Sequence, residues 1–157
     1  MKKLVLLSVI LMATCVVAMA QPRAIGGRLA WSVGASYQHG FGEKNMLQVD
    51  LDFPGYFWGV QATATYNWLF PIKSWTYDGS WNWYAGVGGG IGWGWWYNYA
   101  WAGVAGMIGV EYNFKFPLQL SLDFRPLIGP WFHKNGVGFN TWAIYAGGIG
   151  LGVRYKF

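Results

Sequence analysis

Few side chains in this 157-residue chain could do chemistry. Its one cysteine, Cys15, falls in an N-terminal apolar run, so the remainder has no thiolate and no disulfide framework. The two histidines, His39 and His133, stand far apart, both in turn-like stretches, and no H-x-x-x-H or carboxylate–His cluster has metal-ligand spacing. A Ser–His–Asp hydrolase would have to draw on His133, with a hydroxyl such as Ser32 brought to it by the fold. The glycines at 86, 88, 90, 92 and 94 match neither G-x-G-x-x-G nor a P-loop with its Lys-Ser/Thr. No catalytic, cofactor-binding or metal residue is therefore assigned. The expectation is a non-enzymatic protein without a cofactor.

The elements that must position these residues begin after residue 20. Met1-Lys2-Lys3 gives a positive start, residues 4–17 are apolar, and Ala18-Met19-Ala20 is a small-residue cleavage site. Residues 1–20 thus read as a signal peptide and 21–157 as the mature domain. That domain carries nine basic and six acidic residues, with no Lys/Arg cluster to bind nucleic acid. Aromatics make up 20% of the whole chain and charged residues only 11%, against about 25% charged in an ordinary soluble domain. An exported, cysteine-free chain of this kind points to a membrane.

Residues 79–110 hold no charge, but ten of them are glycine, which disfavours a helix by about 1 kcal/mol each. Period two fits better. From Trp81 to Trp95 the odd positions carry Trp, Ala, Val and Ile with a single glycine, while the even positions from Gly86 onward are all glycine. Similar alternation runs through residues 25–37, 47–53, 58–70, 102–114, 118–125 and 145–157. Between these segments lie turn-like stretches at 39–45, 54–55, 71–80, 96–100, 115–117 and 126–140. Two-faced segments of about ten residues are the signature of a transmembrane β-barrel, and closure is what leaves no strand edge unsatisfied in hydrocarbon. The fold class expected is all-β: a closed, antiparallel, up-and-down transmembrane barrel of eight strands. Seven segments are visible. The eighth comes from splitting residues 24–38 near Trp31-Ser32, or from a strand within 127–140. With the first choice, 115–117 is a periplasmic turn and 126–140 the last outer loop.

The two faces then have different work. Trp81, Trp83, Trp93 and Trp95 stand at the two ends of one strand, roughly 30–45 Å apart at about 3.3 Å per residue. A tilt of about 40° brings them near the ~25 Å apolar band, as an aromatic girdle. Facing inward are Arg28, Asp50, Asp52, Glu111, Asp123, Arg125, Arg154 and Lys156. An eight-stranded barrel is just wide enough for its side chains to fill, so these charges are expected to pair as an internal network without an open pore. Gly86, Gly88, Gly90, Gly92, Gly94, Gly148, Gly150 and Gly152 also face inward, making room for neighbours such as Tyr84, Met107, Trp142 and the arginines.

The chain ends Gly150-Leu-Gly-Val-Arg-Tyr-Lys-Phe157. This resembles the C-terminal assembly signal of outer-membrane barrels, with Leu151, Val153, Tyr155 and Phe157 at its alternate positions. The stretch from Val110 to Arg125 resembles the hairpin of small opacity-protein-like and OmpA-like barrels: strand, short turn, strand ending in Phe124-Arg125. The resemblance implies insertion into a bacterial outer membrane by the barrel assembly machinery, with periplasmic chaperones on the way and outer-membrane lipid and lipopolysaccharide as surroundings. No ligand or activity comes with it. The reading is a monomeric outer-membrane protein with a structural, adhesive or envelope-integrity role. The alternatives are a small barrel enzyme acting on lipid A or phospholipid, and a carrier holding a small apolar ligand against the inward glycines.

Overall fold

A computed structural model describes residues 21–75, 78–96, 98–140 and 148–157. The expected leader at 1–20 and the expected inward Trp142 lie outside the described residues. The strands are β1 (Gln21–Leu29), β2 (Ser32–Phe41), β3 (Asn45–Pro54), β4 (Gly59–Pro71) and β5 (Gly79–Gly94). They continue as β6 (Tyr99–Phe114), β7 (Leu118–Phe124), β8 (Leu127–His133), β9 (Gly136–Asn140) and β10 (Ile149–Lys156). Among the described residues no helix is long and apolar enough to cross a membrane.

These strands make eight staves. β7 and β8 pair with β6 in one continuous register, with Asp123 opposite Gly109 and Leu127 opposite Ala105. β9 pairs with β8, and β10 with β7. Every other stave is a single strand with antiparallel neighbours, and the β1–β10 and β5–β6 pairings leave a closed, antiparallel, up-and-down barrel. The end carrying residues 21 and 157 is called lower, the opposite end upper.

The closed barrel follows from the alternation. A strand turns successive side chains to opposite faces, and the parity survives every hairpin. Arg28, Ser36, Gln48, Asp50, Thr65, Glu111, Ser121 and Arg154 are all buried inside. On the outer face, Val104 and Ile91 are 69% and 65% exposed. Most polar groups are inside and most bulky apolar groups outside, the reverse of a soluble barrel.

The expected boundaries shift in three places. Residues 24–38 do split into two strands, at Ala30–Trp31. The 126–140 stretch is not an outer loop but the β8–β9 hairpin, with its turn at Lys134-Asn135. Pro126 suggested a break because it has no N–H to give the ladder. Its carbonyl still accepts from Gly106 N at 3.0 Å, so the stave runs on. Finally, His39 is not in a loop: it lies within β2, largely buried, with its ring in edge contact with Phe41 and Nδ1 hydrogen-bonded to Tyr37 Oη at 2.8 Å.

Candidate functional site

The lumen is where this chain gathers its ionisable groups. At the lower end Glu111 accepts from Arg23 through both carboxylate oxygens, one at 2.9 Å. Asn82, Asn113 and Gln119 donate to the same carboxylate at 2.9, 3.0 and 3.1 Å. From Arg23 a column of bonds climbs the wall. Arg23 Nη1 donates to Gln38 Oε1 at 2.9 Å, Gln38 Nε2 to Gln48 Oε1 at 2.9 Å, and Gln48 Nε2 to Asp50 Oδ2 at 2.9 Å.

The column ends on Arg125. Its Nη1 donates to Asp50 Oδ2 at 2.5 Å and its Nη2 to Asp52 Oδ2. Arg125 follows β7 and the two aspartates sit on β3, four staves away in a barrel of eight, so this bar crosses the full lumen. Arg28 Nε and Nη2 hold Asp123 Oδ1 at 2.9 and 2.5 Å, and Nη2 also reaches Gly148 O at 3.0 Å. Arg154 has hydroxyl and amide partners: Ser36 Oγ at 2.9 Å, Ser121 Oγ at 2.7 Å and Gln119 Oε1 at 3.4 Å. Four arginines thus face four carboxylates, and each carboxylate accepts from at least one guanidinium. Buried charge is tolerated only when paired and hydrogen-bonded. Asp50 and Asp52 share one arginine, which makes them a structural clamp rather than a free acid–base pair.

The upper lumen is built differently. Trp101, Ala105 and Leu127 form a buried cluster with Tyr99 and Trp131 packed against it. Trp101 Nε1 donates to Gln61 Oε1 at 3.1 Å. The inward glycines make this possible. A Cβ on Gly92 would lie 2.2 Å from Trp101 Cε2, one on Gly94 2.6 Å from Tyr99 Cε1, and one on Gly90 3.1 Å from Leu127 Cδ1. Lower down, Gly86 faces Asn67, Gly150 faces Arg28, Gly152 faces Ser121 and Arg154, and a Cβ on Gly88 would run into the Ala64 carbonyl oxygen of the neighbouring strand. Tyr84 and Met107 are buried inside with Met46 and Leu69. The space beside Gly90–Gly94 is filled by the chain's own rings.

The structure therefore brings together seven of the eight ionisable groups expected inside: Arg28, Asp50, Asp52, Glu111, Asp123, Arg125 and Arg154. Lys156 departs from the network. It is only part-buried, and its Nζ donates to the Phe114 carbonyl at 2.7 Å beside the lower turn. Arg23, which the alternation puts on the outer face, takes that lower place instead. A register shift between Pro22 and Ala24 disrupts the period there and turns Arg23 inward. The one local signal was a proline early in a strand, where bulges gather.

The remaining named residues sit on the wall. Trp83, Trp93 and Trp95 are exposed outside, and Trp81 is half-buried, packed near Tyr112 and Trp75. Leu151, Val153, Tyr155 and Phe157 are exposed on the outer face at the lower end of β10. Ser32 is buried at the head of β2, while His133 Nδ1 accepts from Asn135 N at 3.2 Å in the β8–β9 turn. Among the described residues no three His, Cys, Asp or Glu side chains are grouped to hold a metal ion. Comparison with protein-family models, with curated proteins and with solved structures finds no match.

Proposed function

We propose that this chain is an integral outer-membrane protein, exported through a cleaved signal peptide at 1–20 and held in the membrane as a monomeric barrel with no open pore. Its role is structural, adhesive or envelope-integrity rather than enzymatic. The observation that carries this reading is the inverted polarity of the wall. Arg28 and Arg154 are 0% and 1% exposed inside, while Ile91, Val104, Ile108 and Val153 stand on the outer face. Such a surface is stable in hydrocarbon and unstable in water. The likeness of Leu151, Val153, Tyr155 and Phe157 to an assembly signal, and of residues 110–125 to the hairpin of opacity-protein-like and OmpA-like barrels, supports delivery by periplasmic chaperones and the barrel assembly machinery.

The bar from Arg125 to Asp50 and Asp52, together with the rings over Gly90–Gly94, supports a closed lumen. The same rings speak against a carried apolar ligand. His133, bonded to a turn amide, gives no support to a hydrolase. Two measurements test the reading. The purified chain should need detergent and migrate faster on SDS gels before boiling than after. Reconstituted in a planar bilayer, it should give no stable conductance steps. Solubility without detergent would overturn the membrane assignment, and steady channel steps would overturn the closed lumen.

A further inference from the structure

Near the upper end, the outer wall carries a groove of about 460 Å³ with an almost entirely apolar lining. Two cross-strand rows make it. Leu51 pairs with Ala62, Ala62 with Ile91, and Ile91 with Ala102. One step higher, Val60 pairs with Trp93, Trp93 with Ala100, and Ala100 with Phe132. Alanines form the floor, and Ile91, Trp93 and Phe132 stand up as walls. A single hydrocarbon chain can lie between them.

The groove leads into an aromatic crown. Two residues beyond Trp93 comes Trp95, and two before Val60 comes Trp58. Trp95 Nε1 donates to Phe57 O at 2.7 Å, which ties the 55–58 turn to the Trp95-Trp96 turn. Tyr56 and Phe57 both hold positive φ, 54° and 82°, a strained conformation for bulky side chains. Tyr56, Phe57 and Trp58 are each more than half exposed, and Trp96, beside Trp95 in the sequence, is 73% exposed. These two turns contain no charged residue. Lys134, two residues past Phe132, is the cation of the upper turns.

We propose that the groove and crown together hold one glycolipid of the outer leaflet, with a saturated acyl chain in the groove and its sugar headgroup against the indoles. The inference rests on the outer-membrane reading above. Flat C–H faces of a sugar pack on aromatic rings, whereas a glycerophospholipid headgroup offers the crown no such face. Lys134, in the 134–135 turn at the same end of the barrel, is the cation available to a sugar-borne phosphate.

The test uses the full-length mature protein refolded in detergent. Native mass spectrometry follows retention of added lipid A and of phosphatidylethanolamine in parallel. The wild type should retain one lipid A at least tenfold more readily than the phospholipid. A102F and A62F, which fill the floor, should lose that retention tenfold or more. Trp96→Ser should bring the two lipids to near parity. Ile25→Ala, on the outer face of β1 and outside the groove, should change nothing. Heat-modifiable migration of each variant shows that the barrel has formed. Equal retention of the two lipids by the wild type, or lipid A held as well by A102F and A62F, would overturn the proposal. A heat-modifiable barrel that retains neither lipid would overturn this site alone. A chain soluble without detergent would overturn the membrane reading and this site with it.

Discussion

The lower and upper halves of the lumen solve one problem by opposite means. Below, the space is crossed by ion pairs whose partners lie 73 to 95 residues apart in sequence. Above, it is filled by rings laid over glycines on neighbouring strands. The difference shows what each kind of contact does. A guanidinium bar spans the barrel and ties staves that never touch through their backbones. A ring on glycine closes the gap between a strand and its neighbour and needs no partner across the lumen. Charge therefore ties the cross-section, and glycine with aromatic packing fills the upper end.

The contrast between the halves is broken most severely at Arg125. Arg125→Met leaves Asp50 and Asp52 buried together without their cation. The expected loss is about 3–5 kcal/mol, the usual cost of stranding a buried charge. Urea unfolding of the detergent-refolded barrel measures it. Removing the two carboxylates as well should restore part of the stability, and if it does not, the bar is not what holds this level. In the upper half, Gly92→Ala drives a methyl into Trp101 and should cost about 2–3 kcal/mol by overpacking, read in the same unfolding assay. A neutral result would mean that the ring is not seated on the glycine. Arg23→Ala removes a cation from Glu111 but leaves the donors Asn82, Asn113 and Gln119 in place. The expected loss is smaller, about 1–2 kcal/mol, and it tests whether the β1 bulge turns Arg23 inward. The weakest response belongs outside the lumen. Lys115 and Asp78 form an exposed pair at 3.0 Å, and Lys115→Ala should leave the unfolding midpoint unchanged within error.

Much of the wall was legible in the sequence because its signal is local. Side-chain direction in a strand depends only on parity, so the burial of Asp50, Glu111 and Arg154 could be read from their immediate neighbours. So could the glycine face of β5. Parity misleads where the backbone departs from the ladder. At Arg23 a bulge cancels the alternation. At Pro126 a residue that normally ends a strand loses one hydrogen bond and continues, because its neighbours on β6 hold the register. His39 looked like a turn residue between Gln38 and Gly40, yet β3 pairs with β2 out to Phe41 and keeps it in the strand.

The class of fold, and which residues face in or out, follow from the order of amino acids alone, since a period of two is written in adjacent side chains. Which groups meet is settled only in the assembled barrel. Arg125 chooses Asp50 and Asp52 rather than Asp123, and Glu111 takes Arg23 rather than Lys156, because the stagger between staves sets the height of every side chain in the lumen. That stagger is a sum of registers around the closed barrel, and no single stretch of the chain contains it.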